Sequence, residues 1–179
     1  MVLRWLAPYR YARRIEEVDP RALRADGIRG VILDLDNTIV AWNAPEPTPE
    51  VERWVAELTA SGLRACIVSN NFTGRVRAVA QRLGVPVVAA AVKPTPWAFR
   101  KAMRVMGTSP SDTALVGDQL FTDVLGGNLL GVRTILVEPL STREFPTTML
   151  IRRIERLVRR RVLNRLRARQ GPTSYPSPR

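Results

Sequence analysis

In the stretch VILDLDNTIV, residues 31–40, two aspartates, Asp34 and Asp36, stand two positions apart directly after an apolar run that reads as a buried strand. Carboxylates that close repel each other unless a cation or a proton intervenes. Three other apolar runs are followed by polar groups: Ser69 and Asn70 after residues 63–68, Lys93 and Pro94 after 85–92, and Gly117 and Asp118 at the end of 112–118, with Asp123 five positions further on. No histidine occurs among the 179 residues, so proton transfer near neutral pH falls to carboxylates, lysine or tyrosine. Imidazole triads are excluded, and the single cysteine, Cys66, with carboxylates makes a poor zinc cage.

This set suits phosphoryl transfer. Three crowded carboxylates, Asp34, Asp36 and Asp118, need a cation, and oxygen ligands with room for water and phosphate suit Mg²⁺. Asp34 can attack phosphorus, because no Ser-His or Cys-His pair exists to do so. Positions i and i+2 of an extended segment share a side, so Asp36 can protonate the leaving alkoxide and later activate water. Ser69 and its neighbouring backbone N–H groups can hold phosphoryl oxygens, and Lys93 supplies positive charge. Asp123 is expected behind these groups, orienting a metal-bound water or Lys93. Taken singly, each element has an ordinary structural explanation as a turn, a helix cap or a solvated residue. Their joint order, each after a predicted strand, favours the chemical reading.

Such residues converge only if parallel strands bring their ends to one sheet edge. Residues 30–36 read as the first strand, followed by a helix with Thr48 as N-cap, Pro49 in its first turn, Val51, Trp54, Val55 and Leu58 on one face, and Gly62 past its end. Residues 63–71 give a second strand, then a helix with Val76, Val79, Ala80 and Leu83, closed by Gly84. Residues 85–92 give a third, then a helix with Trp97, Phe99, Ala102, Met103 and Met106 that stops at Gly107. Residues 112–118 and 132–139 complete the sheet around a helix over 119–130. The expected fold is α/β: a Rossmann-like core with a five-stranded, mainly parallel sheet flanked by helices. Length favours one domain, taken as residues 1–146. A basic amphipathic helix over 147–169 follows, with Leu150, Ile151, Ile154, Leu157, Val158, Val162 and Leu166 as its apolar stripe, and then a disordered tail over 170–179.

In order and spacing, DLDNT, SNN, KP and GDQLFTD resemble the four motifs of the haloacid dehalogenase (HAD) superfamily of phosphatases, over residues 30 to about 138. The stretches LAPYRYARRIEEVDPRALRADGIRGVILDLDNT, SNNFTGRVRAVAQRLGVPVVAAAVKP and GDQLFTDVLGGNLLGVRTILVEPL resemble the YqeG-type group of subfamily IIIA, itself similar to the mitochondrial phosphatidylglycerophosphate phosphatases of fungi and plants. The resemblance implies a Mg²⁺-dependent phosphatase with Asp34 as nucleophile and Asp36 as acid/base and backbone-carbonyl metal ligand. It makes Asp34 and Asp118 further metal ligands, and Ser69 and Lys93 phosphate contacts, with Thr38 and Asn70 beside them in the substrate site. At position 36 the phosphorylated ion pumps of the superfamily carry Thr, so Asp there resembles the hydrolases. Only 32 residues separate Asp36 from Ser69 and 23 separate Ser69 from Lys93, which leaves no space for a cap domain. An open site of this kind suits a large or surface-held substrate.

Charge is unevenly spread. Of the net +12, residues 152–169 hold nine Arg against one Glu, a net +8 that leaves +4 for the rest. No apolar run approaches the roughly 18–20 residues of a membrane span. The start, MVLRWLAPYRYARR, is too short in apolar residues for a secretory signal, and a lone cysteine forms no internal disulfide, so a reducing cytoplasm is the expected compartment. The basic helix can lie on an anionic membrane, bind RNA, or pack its stripe on the core. Trp5, Tyr9 and Tyr11 interleaved with Arg4, Arg10, Arg13 and Arg14 favour a membrane-facing patch. The expected partner is therefore an anionic phospholipid phosphate, phosphatidylglycerophosphate by resemblance, with peripheral contact at the inner membrane face through residues 4–14 and 150–169. A soluble nucleotide or sugar phosphate is the alternative substrate, and an RNA- or ribosome-associated module the less favoured reading.

Overall fold

The computed structural model describes residues 5–42, 44–141, 155 and 158–164. The elements in chain order are β1 (Arg10–Tyr11), a 3-10 turn (Ile15–Glu17), α1 (Pro20–Ala25), β2 (Gly30–Leu33), α2 (Pro49–Ala60), β3 (Arg64–Val68), α3 (Gly74–Leu83), β4 (Val87–Val88), α4 (Pro96–Met106), a second 3-10 turn (Pro110–Asp112), β5 (Thr113–Gly117), a π-helical turn (Leu120–Val124) running into α5 (Leu125–Leu129), and β6 (Arg133–Leu136). Residues 155 and 158–164 are helical and form the described part of a C-terminal helix. The strands make one sheet in the order β1-β6-β5-β2-β3-β4, and all paired neighbours are parallel.

Period-two alternation divides the strand side chains between two buried layers. Val31 and Leu33, Ala65 and Ile67, and Ala114 and Val116 pack with Val51, Trp54, Val55 and Leu58 of α2 and Val76, Val79 and Ala80 of α3. Ile32, Cys66, Val68 and Leu115 face the other way, onto Ala98, Phe99, Ala102, Met103 and Met106 of α4. The helices start and stop where their capping residues direct. The Thr48 side chain accepts from the Val51 N–H at the head of α2, and Gly84 and Gly107 take left-handed conformations at the ends of α3 and α4.

The α/β sheet matches the expectation, with four differences. It has six strands rather than five, because Arg10 and Tyr11 pair with Ile135 and Leu136 at one edge. A two-residue, half-buried strand carries no apolar run for a sequence reading to detect. Of the predicted third strand, 85–92, only Val87 and Val88 pair; Ala90 and Val92 both have φ of +52°, which breaks the ladder. The segment over 119–130 divides into the π-helical turn and α5. Trp97 does not join the apolar face of α4. It lies in the first turn, where the sheet has ended, and is 45% exposed with the Lys101 ammonium 6.0 Å from its ring centroid.

The C-terminal helix packs against the core through Val162, which is buried with Leu6, Leu120, Val124 and Leu136, and through Val158 and Leu163 at the edge of that cluster. The other parts of the helix expected over 147–169, and the tail expected over 170–179, lie outside the described residues. Among the described residues no helix is long and apolar enough to cross a membrane.

Cys66 is fully buried between β-sheet and α4, and burial pushes its thiol up to about 12. The folded protein is therefore expected to be inert to a thiol-specific disulfide reagent at pH 8 and to release one equivalent once denatured. Full reaction of the native protein on mixing would contradict this packing.

Candidate active site

The site is built where β2 and β5 end side by side. The Asp34 N–H extends the ladder by donating to the Val116 carbonyl at 2.9 Å, which sets Asp34 beside Gly117 and Asp118. Asp34, Asp118 and Asp123 are all buried, and each offers a carboxylate oxygen within 4.8 Å of the others. Lys93 enters from the loop before α4, its backbone N–H held at 2.7 Å by the Asn70 side-chain carbonyl. Its buried ammonium donates to Asp34 Oδ1 and, at 2.7 Å, to Asp123 Oδ1. The second Asp123 oxygen accepts from the Gln119 N–H at 3.2 Å.

Asp36 turns elsewhere. Asn37 adopts a left-handed φ of +64°, a conformation asparagine tolerates, and folds the chain back so that its N–H meets the Val40 carbonyl at 2.7 Å. The Asp36 carboxylate pairs with the Arg75 guanidinium and lies 3.5 Å from the Ser69 hydroxyl. Arg75 is itself anchored, donating at 2.7 Å to the Ala44 carbonyl. Ser69 Oγ accepts from the Asn71 N–H at 3.0 Å, and the buried Thr38 hydroxyl donates to Asp118 Oδ1 at 3.4 Å. The catalytic, substrate-binding and metal residues expected from the sequence thus stand at this one edge. Two groupings differ from the expected arrangement: the three clustered carboxylates are Asp34, Asp118 and Asp123, and Asn70 holds the Lys93 backbone.

Electrostatics sort these groups. Burial alone would discharge Lys93, but Asp123 and Asp34 outweigh it and hold the ammonium protonated far above the usual lysine range. Burial raises the Asp123 carboxyl, with Lys93 pulling it back and Asp34 pushing it further. Burial followed by repulsion from Asp34 raises Asp36, against the opposing pull of Arg75. Among the described residues, Lys93 pairs with two of the three buried carboxylates, Asp34 and Asp123, and Asp34 Oδ2 is buried with no hydrogen-bond partner. That acidic cluster and that unsatisfied oxygen fit a divalent cation with hard oxygen ligands. Asp34 and Asp118 could hold it, while both Asp123 oxygens already accept hydrogen bonds.

The sequence reading missed four contributors. Arg75 lies in the first turn of α3, 39 residues from Asp36, and only the sheet order brings them together. Gly117 has space for no side chain, because a Cβ there would lie 2.5 Å from Asp123 Cγ. Arg159 and Glu155 reach the loop after β5 from the C-terminal helix. Gly117 alone had a local signal, standing immediately before Asp118 at a strand end.

Comparison with known proteins adds an independent line. The family model for the haloacid dehalogenase-like hydrolases matches residues 3–131. The chain is 38% identical to the protein named "Probable phosphatase YqeG" of Bacillus subtilis, over 93% of this chain and 95% of that one. It is 28% identical to phosphatidylglycerophosphate phosphatase 1, chloroplastic/mitochondrial, of Arabidopsis thaliana, over 86% of this chain but only 46% of the plant protein's length. Among solved structures, the cobalt-bound deoxy-D-mannose-octulosonate 8-phosphate phosphatase of Haemophilus influenzae aligns with a TM-score of 0.52 at 16% identity, over 63% of this chain and 69% of that one. That likeness speaks to the fold.

Gly117→Ala isolates the positioning of Asp123. The added methyl group must displace the carboxylate that holds Lys93, and a displacement near 1 Å costs about 100-fold in turnover. The expected result is a folded protein, unchanged in far-UV circular dichroism, whose kcat for a simple aryl phosphate falls by about that factor.

Proposed function

Because this chain belongs to the haloacid dehalogenase-like hydrolases, as a phosphatase of that family, we propose that it is a Mg²⁺-dependent phosphomonoesterase that works through an aspartyl-phosphate on Asp34 and acts on phosphatidylglycerophosphate at a membrane surface. The observation that carries the mechanism is the buried Lys93 ammonium clasped between Asp34 and Asp123, with Asp118 beside them. In the first half-reaction an Asp34 carboxylate oxygen bonds to phosphorus as the ester P–O bond breaks, and Asp36 gives its proton to the departing alkoxide. The raised Asp36 carboxyl suits that donation. In the second half, Asp36 takes a proton from water as the water oxygen bonds to phosphorus, releasing inorganic phosphate and Asp34. Lys93 neutralises charge on the transferring group, Ser69 and Thr38 lie where phosphoryl oxygens would be held, and Asp123 fixes Lys93. Asp34 and Asp118 would hold a divalent cation, Mg²⁺ in this reading, which would supply further positive charge for the phosphoryl oxygens.

Openness and surface chemistry support a lipid-borne substrate. Between β2 and α2 the chain has only residues 34–48, and between β3 and α3 only 69–73, so neither connection covers the site. Phe72 on the β3–α3 loop, Val92 on the loop that carries Lys93 and Trp97 in the first turn of α4 are 78%, 64% and 45% exposed. The two loops are joined by the Ala90 N–H donating to the Asn71 carbonyl at 3.2 Å. Exposed apolar side chains around an uncapped site can enter the headgroup zone. Trp5 and Tyr9 of segment 4–14 are placed differently: the Trp5 carbonyl accepts at 2.8 Å from Asn128, near the end of α5, and the Tyr9 N–H donates at 2.8 Å to the Thr134 carbonyl near the start of β6, away from the site. The name of the plant relative points to the same substrate class. In this reading the enzyme works from the cytoplasm on the inner membrane face, approaching it with the Phe72–Val92–Trp97 rim.

Two experiments test the reading. Purified protein with Mg²⁺ is assayed against phosphatidylglycerophosphate in mixed micelles and against a panel of sugar phosphates and nucleotides. The lipid is expected to give the highest kcat/KM, EDTA to abolish turnover, and Asp34→Asn to lower it by roughly 1,000-fold or more. Preferred hydrolysis of a soluble ester would move the substrate assignment, and full activity of the Asn variant would end the mechanism. A Phe72→Ser/Trp97→Ser double variant is expected to lose several-fold in micellar turnover and in sedimentation with anionic liposomes, while hydrolysing p-nitrophenyl phosphate as the parent does. Equal loss on both substrates would remove the rim from the account.

A further inference from the structure

Three consecutive residues after β5 are each held by an ionisable side chain. The Asp118 carbonyl accepts from Arg159 Nη1 at 3.0 Å, the Gln119 N–H donates to Asp123 at 3.2 Å, and the Leu120 N–H donates to Glu155 Oε1. Two of the three clasps come from the C-terminal helix, where Glu155 and Arg159 are four residues apart on one face and Val162 continues that face into the core. Glu155 is 2% exposed, and its carboxylate meets the first N–H of the π-helical turn, one of the donors that a helix start leaves unpaired. The Arg159 guanidinium, with 12% of its side chain exposed, also donates to the Val137 carbonyl at 2.8 Å and pairs with Glu138 at 3.3 Å. Glu138 in turn accepts from the Tyr11 hydroxyl. Arg159 therefore ties the end of β5 to the end of β6, and through Glu138 to β1.

Burying a carboxylate and a guanidinium costs free energy that apolar side chains in the same places would avoid. What the pair contributes is direction: two hydrogen bonds to backbone atoms on either side of Gln119. Asp118 has its carboxylate in the acidic cluster and its own carbonyl in the grip of Arg159. We propose that the C-terminal helix is a brace for the cation site, with Glu155 and Arg159 as positioning residues that set the Asp118 carboxylate. This rests on the reading of Asp118 as a cation ligand and adds to it a function for the basic helix that is internal to the enzyme. Loss of partners that orient a ligand typically weakens metal binding by about 10–100-fold.

The test uses the full chain and reads Mg²⁺ binding without turnover, from the rise in Tm with Mg²⁺ concentration, alongside the Mg²⁺ concentration that half-saturates hydrolysis of p-nitrophenyl phosphate. Arg159→Met and Glu155→Leu are expected to raise both midpoints at least 10-fold. Glu155→Gln, whose amide oxygen still accepts from the Leu120 N–H, should stay within about threefold of the parent. Val162→Ala loosens the helix without touching the clasps, so it should lower the metal-free Tm and leave the Mg²⁺ midpoint in place. Arg159→Met with a parental Mg²⁺ midpoint would overturn the brace, and so would a Val162→Ala midpoint shifted as far as that of Arg159→Met. A parent protein whose Tm ignores Mg²⁺ would overturn the cation-ligand reading itself, which separates the two failures.

Discussion

Crowding of like charge at one sheet edge is the constraint that organises this molecule. Asp34, Asp118 and Asp123 are buried together, and the Lys93 ammonium is paired with two of them, Asp34 and Asp123. Two unit charges 4 Å apart repel by about 4 kcal/mol at the effective dielectric of a protein, which is comparable to the whole stability of many domains, about 5–15 kcal/mol. Side chains free to move would relax apart. They stay because the backbone beneath them cannot: β2 and β5 are central strands, covered on both faces, and their register carries Asp34 to the end of one and Asp118 to the end of the other. The hydrophobic layers are in that sense the counterforce to the site's electrostatics.

The same constraint explains what the sequence disclosed and what it withheld. Strands buried on both faces read as unbroken apolar runs, so 30–33, 64–68 and 113–117 were legible together with the polar residues ending them. Helix bounds at Thr48 and at Gly84 and Gly107 were legible because capping is local chemistry. Arg10 and Tyr11 were not, since a two-residue edge strand has no pattern of its own and forms only because β6 offers it a template. Residues 85–92 misled in the opposite direction. Their apolar run is real, but Ala90 and Val92 leave extended geometry and turn the chain so that Lys93 points into the core while Val92 remains in solvent. The partners of the site residues were the least legible part. Arg75 with Asp36, and Arg159 with the Asp118 carbonyl, join positions 39 and 41 residues apart, and no local pattern encodes a pairing fixed by strand order.

The fold also reassigns the positive charge. A basic amphipathic segment, considered alone, suits a membrane or RNA equally well. In the structure its apolar side chains at 158, 162 and 163 are turned to the core, and one of its arginines, Arg159, is spent on backbone carbonyls of the phosphatase domain. Among the described residues, what it presents outward at Arg160 and Arg161 is positive charge. Such charge attracts anionic partners at long range. Large apolar side chains are exposed elsewhere, among them Phe72 on the β3–α3 loop and Val92 and Trp97 on either side of Lys93 in the chain.

That separation bears on how an uncapped site can handle a lipid. On the proposed lipid-substrate reading, and with no cap domain between β2 and α2 or between β3 and α3, exclusion of water would come from the surface the enzyme rests on. The side chains that would make that seal therefore belong on the loops that carry Ser69 and Lys93, and two exposed apolar residues, Phe72 and Val92, sit on those loops. Phe72 follows Ser69 by three residues, and Val92 immediately precedes Lys93. A displacement of either loop on docking would reach the phosphate contacts directly, because the Lys93 N–H is bonded to Asn70 and the Ala90 N–H to Asn71. On the proposed membrane-surface reading, the loops that would meet the surface are the same loops that set the lysine, so binding and alignment of the reacting groups would be one mechanical event.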